Sequence, residues 1–260
     1  MKVMKPNEKT TKVVFVLFAA LNALGYDEEN NPHGMSKERR AVRRALPRRG
    51  LRMRYAALAR HMRKEHPWHL IHKVLLKRGS INMDLRKFAK EREVARLWLA
   101  LRAPLAKQAK MLAPVFKREV AELIKFLKRE PRAIKRVIFV FNPLDAYWRG
   151  YSFIVKDTGY VIAGPGTKYE IARLVRHELL HFLAPRIIIP HRFTSPKAHH
   201  KKGNEGYGNR TVIAREYVVR GFNLLYEREV LRKNIASELR RETRRFPHIR
   251  EVLSILKQKN

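Results

Sequence analysis

Hydrophobic positions in residues 1–130 recur every three to four residues, and this period predicts helices. The pattern covers residues 13–24, 37–46, 51–64, 68–77, 85–101 and 105–129, with basic faces on the segments after the first. Breaks are expected at Pro32-His33-Gly34, Pro47-Arg48-Arg49-Gly50, Pro67, Gly79-Ser80 and Pro104. Beyond Pro131 the pattern changes. Residues 137–141, 151–156 and 160–163 are rich in β-branched and aromatic side chains and predict strands. Asp157-Thr158-Gly159 predicts a tight hairpin between the last two. Helical periodicity then returns. The class is therefore α+β, with a largely helical portion over 1–130 and a mixed portion over 131–260. The boundary is soft, and the two portions can share one core.

The helical pattern after the strands carries the chemistry. Thr167 fits an N-cap with Glu170 three residues on, the reciprocal arrangement of a capping box. Pro185 stops the helix. Between them stands Arg176-His177-Glu178-Leu179-Leu180-His181, which reads H-E-x-x-H. Residues four apart share a helix face, so His177 and His181 can aim at one metal ion. The Glu178 carboxylate can reach a water there. A chain of this composition yields the pattern by chance roughly 0.03 times. The bland alternative is a core helix with two hydrogen-bonded histidines, but such a cluster needs partners, and a metal is the simplest.

Catalytic zinc takes a third protein ligand. Ala184 and Ile187 stand where an H-x-x-G-x-x-H continuation would place Gly and His, which closes that route. Residues 212–226 form a long apolar stretch with Glu216 inside it, an expensive place for an unpaired carboxylate. Glu216 is the first candidate. Glu205, in a glycine-rich loop, and His191, His199 and His200 remain rivals. An i,i+4 ion pair between Glu216 and Arg220 is the competing structural explanation. Candidate donors to an oxyanion are Tyr217, Tyr207, Arg220 and His200, and Arg220 can equally orient a carboxylate.

These residues resemble the gluzincins, the H-E-x-x-H…E zinc metallopeptidases. The run from Phe18 to Asn30, and Glu216 followed by Val219-Arg220, are similar to a prokaryotic group of gluzincin-like proteins. The resemblance implies peptide-bond hydrolysis, with His177, His181 and Glu216 on Zn²⁺ and Glu178 as general base. It further implies a zincin-like portion with a small antiparallel or mixed sheet beside the motif helix. An edge strand, 151–156 or 160–163, would then pair with an extended peptide substrate. One departure is the 34 residues separating His181 from Glu216, longer than in the family. The extra length falls in residues 185–210.

Composition narrows the setting. The 260 residues are enough for a sizeable core, and cysteine is absent, so no disulfide framework or thiolate metal site exists. Two His and one Glu would also accept Co, Ni or Mn. The formal charge is +35, shared by both halves of the chain. It predicts non-specific attraction to nucleic acid or other acidic surfaces. The alternative function is thus a basic nucleic-acid-associated protein, either a protease acting on nucleic-acid-bound proteins or a binding module with a structural metal. No zinc finger, RNP or phosphate-loop pattern supports a specific module. The apolar run 13–24 is too short to span a bilayer. Lys2, Lys5, Lys9 and Lys12 ahead of it mimic the basic start of an export signal, but Asn22 interrupts the run. The expectation is a cytoplasmic protein, with export as the alternative.

Overall fold

The computed structural model describes residues 1–25, 34–46, 48–128, 134–194 and 209–259. By contacts the chain divides into Met1–Arg118 with Arg132–Val175, and Glu119–Pro131 with Arg176–Asn260. A strand at the start of the chain pairs with one beyond residue 130, which ties the two stretches of the first unit together.

In the first unit, helix α1 (Glu8–Leu24) is the centre of the core. Asn7 caps it, its side chain accepting the Thr10 N–H at 2.8 Å. Residues 14–24 are all buried. Around α1 pack α2 (Lys37–Ala45), α3 (Arg48–Arg54), α4 (Ala56–Lys64), α5 (Pro67–Leu75) and α6 (Ile81–Phe88). Asn22, the polar interruption in the apolar run, is completely buried and fully bonded. Its amide donates to the carbonyls of Phe18 and Leu144, both at 2.8 Å. Its oxygen accepts from Arg39 Nε at 2.7 Å and Arg43 Nε at 3.1 Å. All four positions of the side chain are used, which is what lets an amide sit in the core.

Two helix boundaries differ from the sequence pattern. The single helix expected over 51–64 is broken at Tyr55, where ψ is 44°. The Tyr55 hydroxyl donates to Glu91 and its ring meets Phe88 edge-on at 5.4 Å. Distant partners thus override a locally helical pattern. Conversely, the break expected at Pro104 is absent. Helix α7 (Arg92–Leu127) runs through both Pro104 and Pro114, and the chain bends away at residues 89–91 instead. Both prolines lie on the exposed side. An internal proline costs about 3 kcal/mol. Leu97, Trp98, Leu105, Leu112 and Phe116 are buried on the other side. At roughly 1.5–3 kcal/mol each, they outweigh that cost.

Residues 1–130 are not helical throughout. Strand β1 (Lys2–Met4) pairs in parallel with β2 (Arg136–Phe141), which pairs in parallel with β4 (Thr158–Ala163). β3 (Gly150–Val155) is antiparallel to β4, giving the order β1-β2-β4-β3. The hairpin turns at Lys156-Asp157, one residue earlier than expected, with Lys156 in the left-handed region at φ 59°. Of the two strands named as a possible open edge, 160–163 is excluded, since β4 has neighbours on both sides. β3 is an edge strand, and there the Ser152 carbonyl accepts from Trp68 Nε1 at 3.3 Å. A helix side chain thereby covers part of a strand edge that would otherwise present unpaired groups.

The division between units passes through α7 and through α8 (Lys168–Leu183). The second unit adds a short 3-10 turn (His191–Thr194), α9 (Arg210–Glu229), α10 (Ala236–Arg245) and α11 (Ile249–Lys259). Helix α9 is its core: Ile213, Tyr217, Val219, Phe222 and Tyr226 are fully buried. Gly221 lies against Leu256 with no room for a Cβ, which lets α9 and α11 approach closely. The molecule is mostly helical with one mixed sheet among the described residues, an α+β protein. No helix among them is long and apolar enough to cross a membrane.

Candidate metal centre

The site begins with α8. Glu170 Oε2 accepts the Thr167 N–H at 2.7 Å, and Thr167 Oγ1 accepts the Glu170 N–H at 3.3 Å. This is the reciprocal capping expected from the sequence. Leu179 and Leu180 are fully buried and hold the helix down. His177 and His181 stand one turn apart on one face, ring centroids 5.1 Å apart and planes at 81°.

Helix α9 brings Glu216 to them. His181 Nε2 lies 3.3 Å from Glu216 Oε1, and His177 Nε2 lies 3.7 Å from Glu216 Oε2. One atom from each of the three residues falls within 4.8 Å of the others, the one such group of three among the described residues. Bonds of about 2.0–2.2 Å at tetrahedral angles place neighbouring ligand atoms roughly 3.3–3.6 Å apart. The His181 spacing lies in that range and the His177 spacing, to the other carboxylate oxygen, lies just beyond it; two imidazoles with a carboxylate are a donor set zinc accepts.

Arg220 completes the frame. Its Nε donates to Glu216 Oε2 at 3.0 Å, and another guanidinium nitrogen donates to Glu242 on α10 at 2.8 Å. Its flat face covers the Phe246 ring at 4.5 Å. The ion pair with Arg220 and the approach to the histidines therefore coexist.

Burial governs the electrostatics. It pushes the His177 imidazole down to about 3, opposed by the nearby Glu216 charge. His181 feels the same burial, but the hydrogen bond and charge of Glu216, with the charge of Glu178, raise it above the ordinary histidine value. Burial opposes ionisation of Glu216, yet Arg220 and the two histidines hold its carboxyl well below the usual carboxylate range. The site thus offers a neutral His177 imidazole and an ionised Glu216, the states a cation needs, while His181 must give up the proton that Glu216 favours before it can bind one.

The other expected residues fall as follows. Glu178 is buried beside the histidines in sequence, and its charge acts on His181. Tyr217 is completely buried, its ring edge-on to Phe246 at 5.1 Å and its hydroxyl accepting the His248 N–H at 3.3 Å. It anchors the turn between α10 and α11. His191 is exposed, with Nδ1 2.7 Å from an Arg210 guanidinium nitrogen. Tyr207, Glu205, His199, His200 and most of the 185–210 segment lie outside the described residues.

Sequence reasoning missed Glu242 and Arg215. No signal marked Glu242, because its partner is distant in the chain. Arg215 donates to the carbonyls of Leu180 at 3.0 Å and His181 at 2.7 Å, and to Ala184 and Pro185 at 3.2 Å. Its place next to Glu216 was the available clue. No family model, no curated protein and no solved structure matches this chain.

Proposed function

We propose that this protein is a zinc-dependent metallopeptidase of zincin-like plan, with His177, His181 and Glu216 as metal ligands. The observation that carries the reading is the convergence of these three side chains within 4.8 Å, next to Glu178 on the same helix. When bound, zinc supplies a Lewis acid for the scissile carbonyl and lowers the pKa of a water towards about 7. Glu178 accepts the proton of the attacking water and passes it to the leaving amine nitrogen. Arg220 holds Glu216 by Oε2, which keeps Oε1 on the His181 side. Its two carboxylate bonds make Arg220 an orienting group for Glu216. Tyr217 is completely buried with its ring against Phe246, which weakens its candidacy as an oxyanion donor.

Elemental analysis of the purified protein tests the reading. The expected result is about one zinc per chain, lost in His181→Ala. Protein that neither contains zinc nor takes it up when it is added overturns it.

The +35 charge supports a second reading, a basic nucleic-acid-associated protein. DNA binding that falls steeply with salt and is unchanged by Glu178→Gln supports that role. Binding that is insensitive to salt removes it.

A further inference from the structure

A helix leaves its last four carbonyls without intrahelical donors. In α8, which ends at Leu183, the His181 carbonyl is one of them. Its i+4 residue is Pro185, which has no N–H to give. The preceding position is served normally, with Ala184 N–H donating to Leu180 at 3.0 Å. The chain therefore lacks a donor of its own for the histidine at the end of the motif. Arg215 supplies it. Its guanidinium reaches the His181 carbonyl at 2.7 Å, the shortest of its bonds to this helix end. It also bonds the carbonyls of Leu180, Ala184 and Pro185. A cation at a helix C-terminus is further favoured by the aligned peptide dipoles.

The next residue of α9 is Glu216, whose carboxylate approaches the His181 ring at 3.3 Å. Two consecutive residues of α9 thus grip His181 at both ends, the backbone carbonyl through Arg215 and Nε2 through Glu216. Any shift of α9 along α8 would disturb both contacts together.

We propose that Arg215 is a positioning residue of the metal centre: by replacing the donor that Pro185 lacks, it fixes the turn bearing His181 in register with Glu216. This inference rests on the metal reading above. Fork geometry matters, because one planar guanidinium meets several carbonyls that a shorter or single-headed side chain cannot span.

The test is Co²⁺ titration of metal-free full-length protein, following the visible ligand-field spectrum, with wild type, Arg215→Ala and Arg215→Gln compared. Helicity by circular dichroism is recorded for each. Wild type is expected to bind Co²⁺ with a tetrahedral spectrum. Arg215→Ala should keep its helicity, bind about 10–100-fold more weakly and show an altered spectrum, as loss of a ligand-orienting partner does. Arg215→Gln keeps a donor but not the fork, so it shifts affinity in the same direction and serves if the alanine variant does not fold. Wild-type affinity with an unchanged spectrum in a folded Arg215 variant overturns the positioning role while leaving the metal centre intact. Wild-type protein that takes up no Co²⁺ overturns the metal reading and this inference with it.

Discussion

Arg176 and His177 are neighbours on α8, yet they enter two different polar clusters of the second unit. Arg176 is sealed. Its side chain and those of Glu119 and Glu227 are each 2% exposed, with Glu119 at 2.8 Å and Glu227 at 3.7 Å. Its guanidinium covers the Tyr226 ring at 4.3 Å, and the Tyr226 hydroxyl donates to Glu122. His177 is open by comparison. Its side chain is 18% exposed and that of His181 23%. A turn of about 100° per residue is enough to send one side chain to each place. In the sealed cluster the charges are cut off from solvent and depend on one another. In the open one, nitrogen and oxygen atoms converge where solvent still arrives, and that is where an ion and a substrate can be met. The lesson is that burial of charge alone does not single out a candidate site; convergent donors with an approach do.

The sharpest way to break this comparison is to remove the sealed cation. Arg176→Ala leaves Glu119 and Glu227 buried without it, and chemical denaturation should show a loss of about 3–5 kcal/mol. His181→Ala in metal-free protein should cost less, because its site is partly solvated; equal losses would erase the distinction. Next in size is the effect on chemistry. Glu178→Gln should retain zinc and lose roughly 10²–10⁴-fold in peptide hydrolysis, since an amide cannot accept the proton. Full activity in that variant defeats the assignment of the base.

A third effect is in pH. His177 is held near 3 in the folded protein against an ordinary value of 6.5, so the unfolded chain takes up its proton first. Its contribution to the stability of the metal-free protein is complete above pH 6.5 and is lost as the pH falls towards 3. Glu216, depressed as well, adds a loss at the acid end. His181 is raised and runs the other way, its contribution present below 6.5 and lost as pH rises through its folded value. Denaturant midpoints should therefore fall between pH 6.5 and 3, and His177→Gln should flatten that fall. A wild-type profile as flat as the variant's sinks the claim that His177 stays neutral in the folded protein.

Local signals were the legible ones. The capping box of Thr167 and Glu170 is a pattern over four residues, and the structure forms it as read. The shared face of His177 and His181 follows from helical spacing. Glu216 stood out because a carboxylate in an apolar stretch needs a reason. What misled were places where remote contacts overrule the local pattern. The bonds of Tyr55 to Glu91 and Phe88 split an apparently continuous helix. The buried stripe of α7 carried it through two prolines. β1 was invisible because three residues hold no periodicity, and its partner lies more than 130 residues away. For the grip of Arg215 on His181, the clues in the sequence were its place next to Glu216 and the N–H that Pro185 lacks.

The sequence by itself determined which side chains are available and which of them a single helix must align: His177 with His181, and Glu216 with Arg220. Those relations depend on helix geometry alone. Only the tertiary structure decided that Glu216 meets the two histidines, that Glu242 holds Arg220, and that Arg176 is enclosed while its neighbour is not. The reason is physical. Spacing along one helix is set by its backbone hydrogen bonds, whereas the meeting of two helices is set by the packing of many side chains across the core, Gly221 against Leu256 among them.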